Sequence, residues 1–337
     1  MANNRIFYAV QALGIEKATS TDGYTDTGTG AITWMKGVQS VGITTNFNLE
    51  QAYELGQLAL YQNIENIPEI EVTAEKVLDG HPLLYLESCP KGTGDIVQAS
   101  NHTAGLYISI HADTNTSASG NEVGVVYCSS VRPSNISYTF PVEGNSTESV
   151  TFVGNDKQWI TLAAARKADY PTINGTTHEP GNASPTSGIF RRQHFINHDN
   201  STAKIPQEVR TAVGNGKLQN VSVSVDLGRE NIFELGAFRP YYKFTSFPVQ
   251  TTCDFEVIAL SGDRVNALGT NDSNLADRDI LIASDNGETY ISIDLGPKNK
   301  LTSVNYTGGD TGGGNATMTF SYQGFNYFVV DTGVSRL

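Results

Sequence analysis

Charge is scarce in this chain: Asp, Glu, Lys and Arg make up 17% of its 337 residues. Basic residues are the scarcer sign, 22 against 35 acidic, for a formal net charge of −13. Duplex binding relies on Lys and Arg displacing counterions from phosphates, so this balance argues against nucleic acid as an ordinary ligand. It leaves room for a protein that touches DNA without holding it. Cysteine is nearly absent. Cys89, Cys128 and Cys253 are an odd number with no C-x-x-C spacing, which predicts free thiols and assembly in a reducing cytosol. The opening MANNRIFYAVQALG has no apolar run long enough for a signal peptide, and no later segment could span a bilayer as a helix. No insertion into a membrane is therefore expected.

Catalytic motifs are missing too. There is no G-x-S-x-G nucleophile elbow, no H-E-x-x-H zinc helix and no phosphate-binding loop with its Lys. The run GGDTGGG (Gly308–Gly314) lacks that Lys and a following helix, and reads as a hairpin tip. His194 and His198 have the i,i+4 spacing of helical metal ligands, but their flanks are not helix-like and no third ligand is near. They read as surface-loop histidines. The N-x-S/T triplets at Asn101, Asn145, Asn174 and Asn315 are chance in a chain rich in Asn, Ser and Thr. A glycosidase needs two carboxylates flanking one bond, whereas the carboxylates here recur evenly along strands. No enzymatic activity and no cofactor are expected.

What the chain does contain is one stretch twice. Val38–Pro68 lies over Leu218–Pro248 after a shift of 180 positions, without a gap. Gln39, Val41, Glu50, Glu54, Leu55, Gly56, Tyr61 and Pro68 each meet an identical residue, and Asn46 meets Asp226. Two copies are too few for a solenoid. A duplicated domain fits better, and a chain of this length has room for two cores.

Within each copy, period-two alternation marks strands. Val221, Val223, Val225 and Leu227 alternate with Asn220, Ser222, Ser224 and Asp226; Val41 and Ile43 do so in the first copy. Alternation resumes in EIEVTAEKVL, with Glu69, Glu71, Thr73 and Glu75 on one face and Ile70, Val72 and Ala74 on the other. The second copy, read with a two-residue insertion, puts Gln250, Thr252, Asp254 and Glu256 opposite Cys253, Phe255 and Val257. Pairing these strands gives each half a long antiparallel hairpin with a wet, carboxylate-bearing face. The connections Phe47–Pro68 and Leu227–Pro248 are long, apolar and aromatic. Each reads either as a turn of helix, capped by Asn48 and Gln51 and ended at Gly56, or as a projecting hairpin.

Elsewhere, Arg5–Gly14 is a possible opening strand and Thr19–Thr29 a mobile loop. Gly105–His111 and Val123–Ser129 read as strands, and Asn135–Phe140 with Ser149–Val153 as a hairpin, matched by Leu301–Tyr306 with Ala316–Tyr322. Trp159–Ala168 reads as a helix ended by Pro171. The expected plan is mainly β, with a first domain over 1–168, a Pro/Gly/Asn/Ser-rich linker over 169–204 and a second domain over 205–337.

The run Lys36–Tyr85, with NRIFYAVQALGI ahead of it, resembles the tail-tube and related virion structural proteins of tailed bacteriophages. The likeness covers roughly residues 4–90 and reaches 218–260 through the duplication. It implies a β-sandwich or split-barrel fold with a short helix, whose hairpins join around a ring into one inner barrel. Single-domain members form hexamers; a duplicated chain implies trimeric rings of pseudo-sixfold symmetry, stacked into a tube. The acidic residues Glu69, Glu71, Glu75, Asp226, Asp254 and Glu256 would line its lumen and repel DNA passing through during ejection. Phe47, Tyr53, Leu55, Tyr61, Phe233, Leu235, Phe238 and Tyr241 would make contacts between rings. The implied partners are further copies of the chain and other tail proteins (sheath, terminator, tape measure, baseplate), in a virion tail assembled in the host cytoplasm. Other readings are a capsid decoration or tail-terminator protein, or a β-sandwich carbohydrate-binding module.

Overall fold

The computed structural model describes residues 11–17, 32–89, 96, 103–111, 122–162, 188–197, 203–212, 217–259, 265, 275–308 and 315–334. The chain is mainly β, built from large antiparallel sheets. In order the strands are β1 (Gln11–Lys17), β2 (Ile32–Trp34), β3 (Val38–Asn46), β4 (Leu49–Tyr53), β5 (Leu60–Glu65) and β6 (Glu69–Val77). A short helix, α1 (Leu84–Ser88), precedes β7 (Ala104–His111), β8 (Glu122–Pro141), β9 (Thr147–Gly154) and β10 (Asp156–Ile160). A second short helix, α2 (Gln207–Ala212), opens the remainder: β11 (Leu218–Asp226), β12 (Arg229–Ile232), β13 (Tyr242–Thr245) and β14 (Gln250–Ile258). The last strands are β15 (Leu281–Asp285), β16 (Thr289–Asp294), β17 (Lys300–Thr307), β18 (Thr317–Phe325) and β19 (Val329–Val334).

Two sets of four strands repeat one pattern. In the first the order is β3-β6-β9-β8; in the second it is β11-β14-β18-β17. Their irregularities coincide as well. A bulge falls at Gln39 in β3 and at Gln219 in β11, and a second lies between Pro133 and Asn135 in β8 and between Leu301 and Ser303 in β17. The identical glutamines make the same bond in both copies. Gln39 Nε2 donates to Gly37 O and Gln219 Nε2 to Lys217 O, both at 3.2 Å. The ladders Asn46↔Glu69 and Asp226↔Gln250 leave room for one inserted residue in the second copy, not the two expected from the sequence.

The sets are not separate sheets. The second half of β8 pairs with β11, Pro141 opposite Asn220 through to Asn135 opposite Asp226. Eight strands thereby form one antiparallel sheet, β3-β6-β9-β8-β11-β14-β18-β17. Strict alternation gives it one apolar face. Ile70, Val72 and Ala74 of β6, Val221, Val223 and Val225 of β11, and Cys253, Phe255 and Val257 of β14 are all buried in a cluster that runs through both halves.

That face is covered by a second layer. Over the first half lie α1 and the sheet β2-β1-β7-β8-β10; over the second lie α2 and the three-stranded sheet β15-β16-β19. The sequence suggests two strands, Val123–Ser129 and Asn135–Phe140; they are one, β8. Its first part pairs with β7 and β10, and its later part with β9 and β11. Ser130, with φ +51, sits at the bend where β8 passes from one layer to the other.

The expected helix over Trp159–Ala168 is corrected where it is described. Trp159 and Ile160 end β10, paired with Val126 and Val125. An aromatic and a β-branched residue fit a pleated edge, and Gly124 opens space for the indole. Thr161 and Leu162 follow in irregular backbone, with Leu162 buried. Residues 163–168, Arg5–Val10, Thr19–Thr29, Asn101, Asn174, His198 and residues 309–314 lie outside the described residues. Of the expected linker, the described part packs against the protein: Phe190 and Ala203 are buried, and Lys204 bridges to Leu281.

Candidate assembly interface

The face of the eight-stranded sheet turned away from the core is polar over most of its width, broken by the exposed Phe325 beside Gln250 and carrying Lys300 beside Gln323. One rung reads Ser40, Glu75, Ser149, Ser137, Ser224, Thr252, Gln323. The next reads Gly42, Thr73, Thr151, Asn135, Asp226, Gln250. All six acidic residues singled out in the sequence fall on this face. Glu69, Glu71 and Asp226 are exposed, and Glu75, Asp254 and Glu256 half-buried. They are not equivalent. Asp226 Oδ1 accepts from Gly228 N at 2.9 Å and so holds a turn, as Asn46 Oδ1 does for Asn48 N at 3.2 Å in the first copy. Burial disfavours the charge of Lys243, and the charge of Glu69 opposes that.

The two long connections are hairpins in both copies, which excludes the turn of helix: β4 pairs with β5, and β12 with β13. Matching turns shape them, with Gly56 at φ +87 and Gly236 at φ +91 at the tips. Left-handed backbone there explains the shared glycine. The side chains toward their tips face outward. Leu55 and Leu235 are 102% and 105% exposed, and Phe47, Tyr53, Tyr61, Phe233, Phe238 and Tyr241 are each more than half exposed. Exposed large apolar side chains thus gather on both hairpins.

The hairpins differ in how they are rooted. The second lies across the joint between the halves. Arg132 Cζ of β8 stands 4.3 Å above the Tyr242 ring, and Arg229 Nε donates to Pro133 O at 2.8 Å. Burial lowers the Arg229 pKa to about 10 and the Lys243 pKa to about 8. The first hairpin has no buried residue at all. Sequence reasoning missed Arg132, Arg229, Tyr242 and Lys243. The signal available was divergence: Arg229 and Lys243 stand where the first copy has Leu49 and Asn63.

Among the described residues, β3 and β17 each have a ladder partner on one side only, β6 and β18. They are the outer edges of the eight-stranded sheet. Neither shows a pocket with convergent nucleophile and base. The three cysteines are buried and form no disulfide; burial pushes the Cys128 thiol up to about 12 and raises that of Cys253 well above its ordinary value, so neither is a thiolate near neutrality. His194 Nδ1 accepts from Arg191 N at 3.2 Å in a 3-10 turn, and among the described residues no group of His, Cys, Asp or Glu could hold a metal ion. No helix among them is long and apolar enough to cross a membrane.

No family model matches the sequence, and no curated protein matches it. One solved structure with partial similarity is a chain in the cryo-EM structure of the anti-feeding prophage baseplate, six-fold symmetrised. It is 10% identical, with a TM-score of 0.33, over 48% of this chain and 97% of that one.

Proposed function

We propose that this chain is a non-enzymatic structural subunit of a phage virion, the major subunit of its tail tube. Residues 1–168 and 205–337 act as two repeated units, each standing for one subunit of a hexamer, so that three copies close a ring. Rings stack through the exposed hairpins into a tube that conducts DNA during ejection.

The observation that carries this reading is the eight-stranded sheet with two unpaired outer edges and a polar, acid-bearing face. An open edge is a template for another chain, and head-to-tail pairing of unlike edges generates a ring that leaves none free. Three copies make a barrel of about 24 strands, ~45–50 Å across its backbone at ~4.8 Å per strand and a tilt of ~40°, which leaves an aqueous channel. Fixed carboxylates on the channel wall repel phosphates. The apolar hairpin tips then have a partner in the next ring, a heterologous contact that does not close.

Negative-stain microscopy of the purified protein tests the proposal. Stacked rings with a central pore are expected. Monomers, or particles that only decorate a capsid shell, overturn it in favour of the other virion roles.

A further inference from the structure

The chain carries its own template for the contact between copies. Resting on the ring proposed above, we infer that β17 of one copy pairs antiparallel with β3 of the next in the register of the internal joint between β8 and β11. Transposing that joint places Gly42 opposite Thr307, Ile43 opposite Tyr306, Thr44 opposite Asn305, Thr45 opposite Val304 and Asn46 opposite Ser303. The transposition follows from the shared ladders: β3 corresponds to β11, and β17 to β8, bulge for bulge.

Burial marks the same occupant. Tyr138 is 0% exposed in the internal joint, and its counterpart Tyr306 on the free edge is 60% exposed. Val223, fully buried, corresponds to Ile43, only partly buried on its own free edge. Both edges therefore show apolar surface that a second copy would cover as the first half covers the second.

The chemistry across the joint differs between its internal and its free form. Inside the chain, the charge of Glu69 in the first half supports that of Lys243 in the second hairpin. The counterparts are Asn63 and Gln250, two neutral amides, so the charge leaves both sides together. Inside the chain, Arg229 donates to the Pro133 carbonyl. The counterpart of Arg229 is Leu49, so the Leu301 carbonyl, in the place of that of Pro133, meets no charged donor there. The first hairpin, free of its own core, thus seats on the neighbour's second half, as the second hairpin seats on the first half. One charge remains at the contact: Lys300 of β17 stands where β8 has Arg132, 65% exposed on the free edge and 3.6 Å from Asp277.

Disulfide trapping tests the register, because the native thiols are buried and only introduced ones are accessible. Thr44 and Asn305 lie on opposite edges of one sheet, ~34 Å apart at ~4.8 Å per strand, so a bond between them must join two copies. Oxidised Thr44→Cys/Asn305→Cys should yield about tenfold more covalent multimer on a non-reducing gel than the shifted pair Thr44→Cys/Ser303→Cys. If that variant misfolds, Gly42→Cys/Thr307→Cys replaces it, since Gly42 has open space for a side chain. Rings by microscopy with no trapping, or with equal trapping by the shifted pair, overturn this register and leave the tube standing. Monomers by microscopy with no trapping overturn both.

Discussion

Glu148 shows how a single buried carboxylate ties the layers together. It is fully buried on β9 and accepts from Leu84 N at 2.8 Å, Tyr85 N at 3.1 Å and Tyr138 Oη at 2.8 Å. The α1 turn thus receives a cap from a residue distant in sequence. Glu148→Ala leaves three buried donors unpaired and should cost about 2–4 kcal/mol in urea unfolding. Burial raises its pKa more than these bonds lower it. The stabilisation from its proton is complete below the ordinary carboxylate value and is lost as pH rises through the raised folded value. Glu148→Gln cannot titrate, so its melting temperature relative to the parent should climb between pH 4.5 and 7; a flat difference would contradict the assignment. A second residue-level case is Gly324, opposite Thr251 as Gly154 is opposite Ile70. A side chain there would collide with Asn299 Oδ1 and Thr251 Oγ1, while Asn299 Nδ2 is already committed to three carbonyls. Gly324→Ala should therefore lose about 2–3 kcal/mol by chemical denaturation.

At the scale of elements, the two hairpins make opposite demands on the chain. The first, β4 with β5, contributes nothing to the core. Replacing residues 49–65 with a short Gly/Ser turn should leave the melting temperature within a few degrees, because little apolar surface is buried there to lose. Microscopy should then show single rings, or none, in place of stacked tubes. The same excision of residues 229–245 removes Arg229, Tyr242 and Lys243 from the internal joint and takes the aromatic ring away from Arg132. It should destabilise the fold outright, a contrast that circular dichroism would show directly.

For the whole molecule, the tube proposed above gives the acidic face a consequence for transport. Glu71 and Glu75 sit on one face of β6 with Thr73 between them, opposite Thr44 and Ser40, away from the core. Reversing both to Lys changes a surface charge and should leave ring formation intact. Phosphates would then be attracted where they had been repelled, and genome ejection should slow, more so at low salt. Unchanged ejection kinetics would remove these residues from the channel wall.

Much of this was legible in the primary sequence where the physics is local. Alternation along Val38–Asn46, Glu69–Val77 and their second copies settled which side chains are wet and which are buried, because a pleated strand has period two. The duplication was legible because turns such as that at Asn46 and Asp226 require the same side-chain oxygen twice. Only tertiary structure decided that β8 is one strand serving two layers, that Trp159 extends a sheet, and that β8 meets β11. Those outcomes depend on which ladder edge is open to whom, a property of groups brought together across the fold that no neighbouring residue encodes.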